Sequence, residues 1–145
     1  MIGRLVRGMS ANRAETGPDS LDSRLRGRTY AIPFDAVWNA ALLVAEEDMK
    51  RWDVISWEDR SGIIAIEARG WILKAIDDVR IHVSLDEDAQ TRIDLTSTSR
   101  KSRADLGTNA RRIGRFFKLL DARLGVTPDS RGRSRPLDAD HVTAA

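Results

Sequence analysis

The residues with the chemistry to bind or react are concentrated in one stretch, TRIDLTSTSRKSRADLGTNARRI, from Thr91 to Ile113. Arg100, Lys101 and Arg103 fall in a basic loop that leads into a helix. Asp105 stands where a helix begins, and its carboxylate can accept the free backbone N–H groups near Thr108. Asn109 and Arg112 are three residues apart, so they share a face of the first helical turns. A helix N-terminus surrounded by arginines can hold an anion. Arg100, Arg103, Asn109 and Arg112 are therefore the ligand- or anion-binding candidates. The competing reading is structural: Asp105 fills the positive helix end, and Arg112 pairs with Asp105 or Asp94.

A hydrolase would draw on Asp94 or Asp105 with Ser97, Ser99 and Arg100. Serine beside aspartate lacks a base able to activate the hydroxyl. His82 could approach Asp94 across a strand pair, but on a solvated face that does not exclude water. Asp77 and Asp78 cannot converge on a metal without a bulge, because neighbouring strand residues point to opposite faces. There is no phosphate-binding loop, dinucleotide glycine fingerprint, HExxH or GxSxG. No catalytic residue, metal or cofactor is assigned, and the enzyme question is left open with a leaning towards no.

The elements that must carry these residues follow from hydropathy periodicity. The 145 residues, 41% of them hydrophobic, suit one core. Thr29–Ile32 reads as a short strand ended by Pro33, and 34–49 as a helix burying Phe34, Val37, Trp38, Ala41, Leu42 and Ala45. Arg51–Trp57 and Ile63–Ala68 form a hairpin joined by the turn Glu58–Gly62. Asp77–Leu85 and Thr91–Thr98 alternate, with Ile93, Leu95 and Ser97 on one face and Arg92, Asp94 and Thr96 on the other. On that outward face Arg80, Arg92, Asp78 and Asp94 can pair across strands. The closing helix puts Ile113, Phe116, Phe117, Leu120 and Leu124 on one side and stops at Gly125. The expected fold is α+β: a two-layer domain with an antiparallel sheet of about five strands, in the order β-α-β-β-β-β-α, and two helices on one face.

Residues 1–27 read as a flexible N-terminal arm, 28–124 as the single domain and 125–145 as a disordered C-terminal tail. Between strands, Trp71, Ile72 and Leu73 form an apolar connector, a candidate hydrophobic lip for a partner. The net charge of +2 conceals a division. Residues 30–99 hold seven Lys/Arg and fourteen Asp/Glu, whereas 100–135 hold eleven Lys/Arg and three Asp. A basic end of this kind attracts anions, acidic lipid or nucleic acid, or simply solvates a helix. With zero cysteines, disulfides and thiolate chemistry are excluded. No apolar run is long enough to span a bilayer and the first residues lack a continuous apolar segment, so a cytoplasmic location is expected, with peripheral membrane association as a variant.

Three runs, Asp77-Asp78-Val-Arg-Ile-His-Val, Arg92-Ile-Asp-Leu-Thr-Ser-Thr-Ser-Arg100 and Arg103-Ala-Asp-Leu-Gly-Thr-Asn-Ala-Arg-Arg-Ile113, resemble the bacterial and plastid domain of unknown function 1499 family over residues 28–124. The resemblance implies that Asp78, Arg92, Asp94, Ser97, Ser99, Arg100, Asp105, Gly107, Asn109 and Arg112 are signature positions. It implies no role for them, because the family has no established activity. Where relatives usually carry a loop glycine, this chain has Ser102. Relatives often carry an export signal or membrane segment, and neither is evident here.

The expected function is thus a non-enzymatic binding or accessory domain. It would meet a protein partner, a membrane surface or an anionic ligand through the apolar lip and the basic edge. The alternatives are a small hydrolase-like enzyme using the Asp/Ser/Arg cluster, and nucleic-acid binding through the basic last helix, with nucleic acid the weaker partner expectation. Oligomeric state is not assigned.

Overall fold

A computed structural model describes residues 9–10, 13–17, 20, 23–70, 75–100, 106–128 and 133–136. Nine strands can be traced among them: β1 (Met9–Ser10), β2 (Arg13–Glu15), β3 (Arg28–Tyr30), β4 (Trp52–Glu58), β5 (Ile63–Arg69), β6 (Ile76–Leu85), β7 (Thr91–Ser99), β8 (Val126–Pro128) and β9 (Arg133–Pro136). Two α-helices, α1 (Phe34–Leu43) and α2 (Leu106–Leu124), complete the α+β domain. The sheet runs β4-β5-β6-β7-β3-β9-β8, and β2 also pairs with β7. All pairings are antiparallel except that of β3 with β9.

The alternation along β6 and β7 decides which residues meet the helices. Val79, Ile81, Val83, Ile93 and Leu95 are buried, and so are Ile64 and Ile66 of β5. Against them α2 packs Ile113, Phe116, Phe117 and Leu120, and α1 packs Val37, Trp38 and Ala41. Trp52 stacks on Phe116 with ring centroids 5.9 Å apart. Burying one such side chain is worth about 1.5–3 kcal/mol, so this layer dominates stability.

Helix α1 starts after Pro33, whose φ of −56° already suits a helix, with Asp35 in the first turn. After Leu43 the helix widens into a π turn, Val44–Asp48, closed by the Met49 N–H donating to the Val44 carbonyl at 2.9 Å. Arg123, in the last turn of α2, grips Asp48 and Glu47 of this turn. The hydrogen bond from Arg123 holds the Asp48 carboxyl below its usual range. The β4–β5 hairpin turns at Gly62, with φ +70°, where an added Cβ would fall on the Val83 carbonyl oxygen.

Two parts of the chain differ from expectation. Within the expected arm, β2 pairs with residues 96–98 of β7, and Ala14 and Leu25 are buried. Within the expected tail, Val126 is buried, and β8 and β9 extend the sheet beyond β3. Strand β3 covers only residues 91–93 of β7, and β2 pairs with residues 96–98 on the length that β3 leaves open. Both segments are short and polar, and each gains its structure from an open edge supplied by the domain. The expected lip, Trp71–Leu73, lies outside the described residues. On either side of it, the Gly70 N–H donates to the Ala75 carbonyl at 2.7 Å.

A buried polar contact ties β3 to α2. The Tyr30 hydroxyl donates to Asp121 at 2.7 Å, and Arg28 lies 3.4 Å from the other Asp121 oxygen. Arg28 also sits over the Phe117 ring, 5.2 Å from its centroid. Burial, and then the Asp121 charge, push the Tyr30 phenol well above its ordinary range.

Candidate functional site

The β6–β7 pair divides the candidate residues between the two faces of the sheet. Asp77 and Ser99 are register partners and point toward α2. Asp78 and Arg100, one residue on, are exposed on the opposite side. No bulge interrupts the ladder from Asp77 to Leu85, so the pleat alone makes the division.

On the helical side, Asn109 and Arg112 project from the first turns of α2 onto the sheet. Arg112 Nη1 donates to Asp77 Oδ2 at 2.6 Å, Asn109 Oδ1 at 2.9 Å and Ser97 Oγ at 3.0 Å. The Ser97 hydroxyl donates to Asn109 Oδ1 at 2.6 Å, and Asn109 Nδ2 donates to Ser99 Oγ at 3.3 Å. The Arg112 and Asp77 side chains are only 10% and 7% exposed, so this is a desolvated, hydrogen-bonded ion pair. Asp77 Oδ1 is buried without a hydrogen-bond partner among the described residues. The expected partners of Arg112 were Asp105 or Asp94; Asp105 lies outside the described residues, and the observed carboxylate is Asp77.

On the other side, Arg100 bridges Asp78 and Glu67 at 2.8 and 2.7 Å. Hydrogen bonds to Asp78, then to Glu67, raise its already high pKa further. Arg92 and Asp94 pair along β7 rather than across strands, because residues two apart share a face. Arg92 donates to the Arg26 carbonyl and Asp94 accepts from the Thr16 hydroxyl, so the pair ties Thr16 and Arg26 to the sheet. Gly27, with φ +74°, passes so close to the Arg92–Asp94 pair that an added Cβ would fall 2.6 Å from the Arg92 guanidinium and 2.7 Å from the Asp94 carboxylate and displace them. Across the ladder, Arg80 faces Thr96, Ser84 faces Arg92 and His82 faces Asp94.

A cleft of about 420 Å³ opens where the start of β4 and the end of β5 meet the first turns of α2. Six cations line it: Lys50, Arg51, Arg69, Arg111, Arg112 and Arg115. Met49, Trp52 and Thr108 complete the described wall, which contains no carboxylate. Lys50 and Arg51 come from the tight passage between the π turn and β4, and Arg51 adopts a left-handed φ of +62°. Its carbonyl accepts the Arg69 N–H at 2.9 Å, which fixes the end of the hairpin. Arg111 and Arg115 are four residues apart and stand on one flank of α2.

Of the expected binding residues that are described, only Arg112 lines this cleft. Arg100 points to the far face, Asn109 is fully buried in the polar network, and Arg103 and Asp105 lie outside the described residues. Lys50, Arg51, Arg69, Arg111 and Arg115 had not been singled out. The available signals were the Lys50-Arg51 pair at an element boundary and the four-residue spacing of Arg111 and Arg115. No cluster of potential metal ligands occurs among the described residues.

The fold and its strand–helix polar network define a two-layer α+β domain with a basic cleft beside the last helix. Residues 9–120 match the family model described as "Protein of unknown function (DUF1499)", and the chain belongs to that family. No curated protein and no solved structure matches it. No helix among the described residues is long and apolar enough to cross a membrane.

Proposed function

We propose that this protein is a non-enzymatic binding domain that holds an anionic ligand in the basic cleft beside α2. The observation that carries this reading is six cations around one cleft with no carboxylate in its described wall. Asp53 and Asp77 each hold one of these cations from outside the wall, Arg69 at 3.1 Å and Arg112 at 2.6 Å. Among the described residues Lys50, Arg51 and Arg115 pair with no carboxylate, so positive charge remains for a ligand. Arg112 is held in place by its three acceptors, which reduces the ordering cost of binding. The bacterial setting suggested by the family resemblance and the basic surface of α2 fit a cytoplasmic protein, with an acidic membrane surface as the second place it could work.

The hydrolase alternative finds little support in this arrangement. Ser97 and Ser99 are 0% and 2% exposed, and both hydroxyls are engaged with Asn109, so neither is presented to a substrate.

Isothermal titration of inorganic phosphate and of pyrophosphate at low ionic strength tests the reading. Saturable binding is expected, weakening as salt is added. A Lys50→Ser/Arg115→Ser variant should bind at least ten-fold more weakly with its melting temperature retained. Heats indistinguishable from dilution for both anions would overturn the proposal.

A further inference from the structure

The size and charge of the cleft narrow the ligand further, on the reading just given that the cleft binds an anion. The geometry points to an organic diphosphate: two linked phosphoryl groups on the cations, with an apolar substituent against Met49 and Trp52. Three cations, Lys50, Arg51 and Arg115, have no carboxylate partner among the described residues. A monophosphate brings only about −1.5 to −2 charges at pH 7 and would leave part of that surplus unanswered. Two phosphoryl groups match it and can also reach the guanidinium of Arg112.

The arrangement of the cations agrees with this count. Lys50 and Arg51 approach from the β4 side, and Arg111, Arg112 and Arg115 from α2. An anion that engages both sides must span the cleft. At about 420 Å³ the cleft is also far larger than one phosphate and lies within the range of small-ligand sites, about 300–1,000 Å³. Arg51 reaches its place through a backbone conformation that L-residues avoid. A glycine would relax that turn, so the chain keeps strain and a cation together at the cleft, as binding sites often do. The two apolar residues are themselves held firmly. Met49 and Trp52 are 6% and 7% exposed, and Trp52 is stacked on Phe116. They offer a rigid wall for an ester group.

Titrations of the full chain with inorganic phosphate, pyrophosphate, adenosine diphosphate and geranyl diphosphate test this. The expected order is pyrophosphate at least ten-fold tighter than phosphate, and one or both of the organic diphosphates tighter than pyrophosphate. Lys50→Gln/Arg115→Gln should weaken pyrophosphate binding at least ten-fold while the melting curve stays in place, and Arg51→Gly should weaken it while the fold is retained. Equal affinity for phosphate and pyrophosphate would overturn the diphosphate inference and leave the anion-binding reading standing. Organic diphosphates no tighter than pyrophosphate would overturn the apolar subsite. Binding of none of the four would overturn both the inference and the reading beneath it. Binding confined to phosphatidylglycerol vesicles or to a single-stranded oligonucleotide would replace the small ligand with a membrane or a nucleic acid.

Discussion

Two arginine–aspartate pairs stand back to back across the β6–β7 ladder, one facing α2 and one facing water. Arg112 and Asp77 keep 10% and 7% of their side-chain surface, whereas Arg100 and Asp78 keep 45% and 55%. The contacts are almost equally short, at 2.6 and 2.8 Å. Their energetic weight differs because solvent screens the outer pair, while the inner pair has given up its hydration and depends on its partners. Contact distance therefore says little about which arginine the fold needs.

The largest expected effect comes from breaking the inner pair. Arg112→Ala strands a buried carboxylate together with Ser97 and Asn109, and urea unfolding should show a loss of about 3–5 kcal/mol. An Arg112→Met/Asp77→Leu double variant, which removes both charges, should recover much of that loss; if it is no more stable than Arg112→Ala, the stranded charge is not the cause.

A second, smaller effect sharpens the same contrast at the other buried carboxylate. Tyr30→Phe removes the hydrogen bond to Asp121 and should cost about 1–3 kcal/mol. The Tyr30 phenol is raised in the folded protein, so its stabilising contribution is complete below the unfolded value of about 10 and falls as pH rises above it. Melting temperatures between pH 8 and 11 should drop more steeply for the wild type than for the variant. Parallel curves would remove Tyr30 from the alkaline transition.

The smallest effect is expected at the outer pair. Arg100→Ala should leave the melting temperature within experimental scatter at both low and high salt, and a clear loss would mean that Arg100 supports more than its two exposed carboxylates.

The central strands were legible in the sequence because alternation on β6 and β7 and the spacing on α2 are set by burial, which hydropathy records directly. Phe34 and Ile63 begin their elements where the periodicity places them, and the opposite orientation of Asp77 and Asp78 follows from the pleat. Strand β2 was not legible. Its only deeply buried side chain is Ala14, and its order comes from an edge of β7 that β3 leaves open. The π turn after Leu43 was hidden too, since it continues the helical spacing. For the site, shared helix position brought out Asn109 and Arg112, but the partner of Arg112 lies 35 residues away on strand β6. The cleft joins Lys50 and Arg51 to Arg111 and Arg115 through tertiary packing alone, and no local pattern links them.

The tandem Asp77-Asp78 bears on how the chain finds its alignment during folding. A slip of β6 by one position would still deliver a carboxylate to Arg112, because either aspartate can fill that place. The same slip would turn Val79, Ile81 and Val83 to water and bring Arg80 and His82 inside. Recognition between Asp77 and Arg112 therefore cannot choose the alignment. That choice falls to the aliphatic side chains, and the ion pair can lock only after they have sorted the strand.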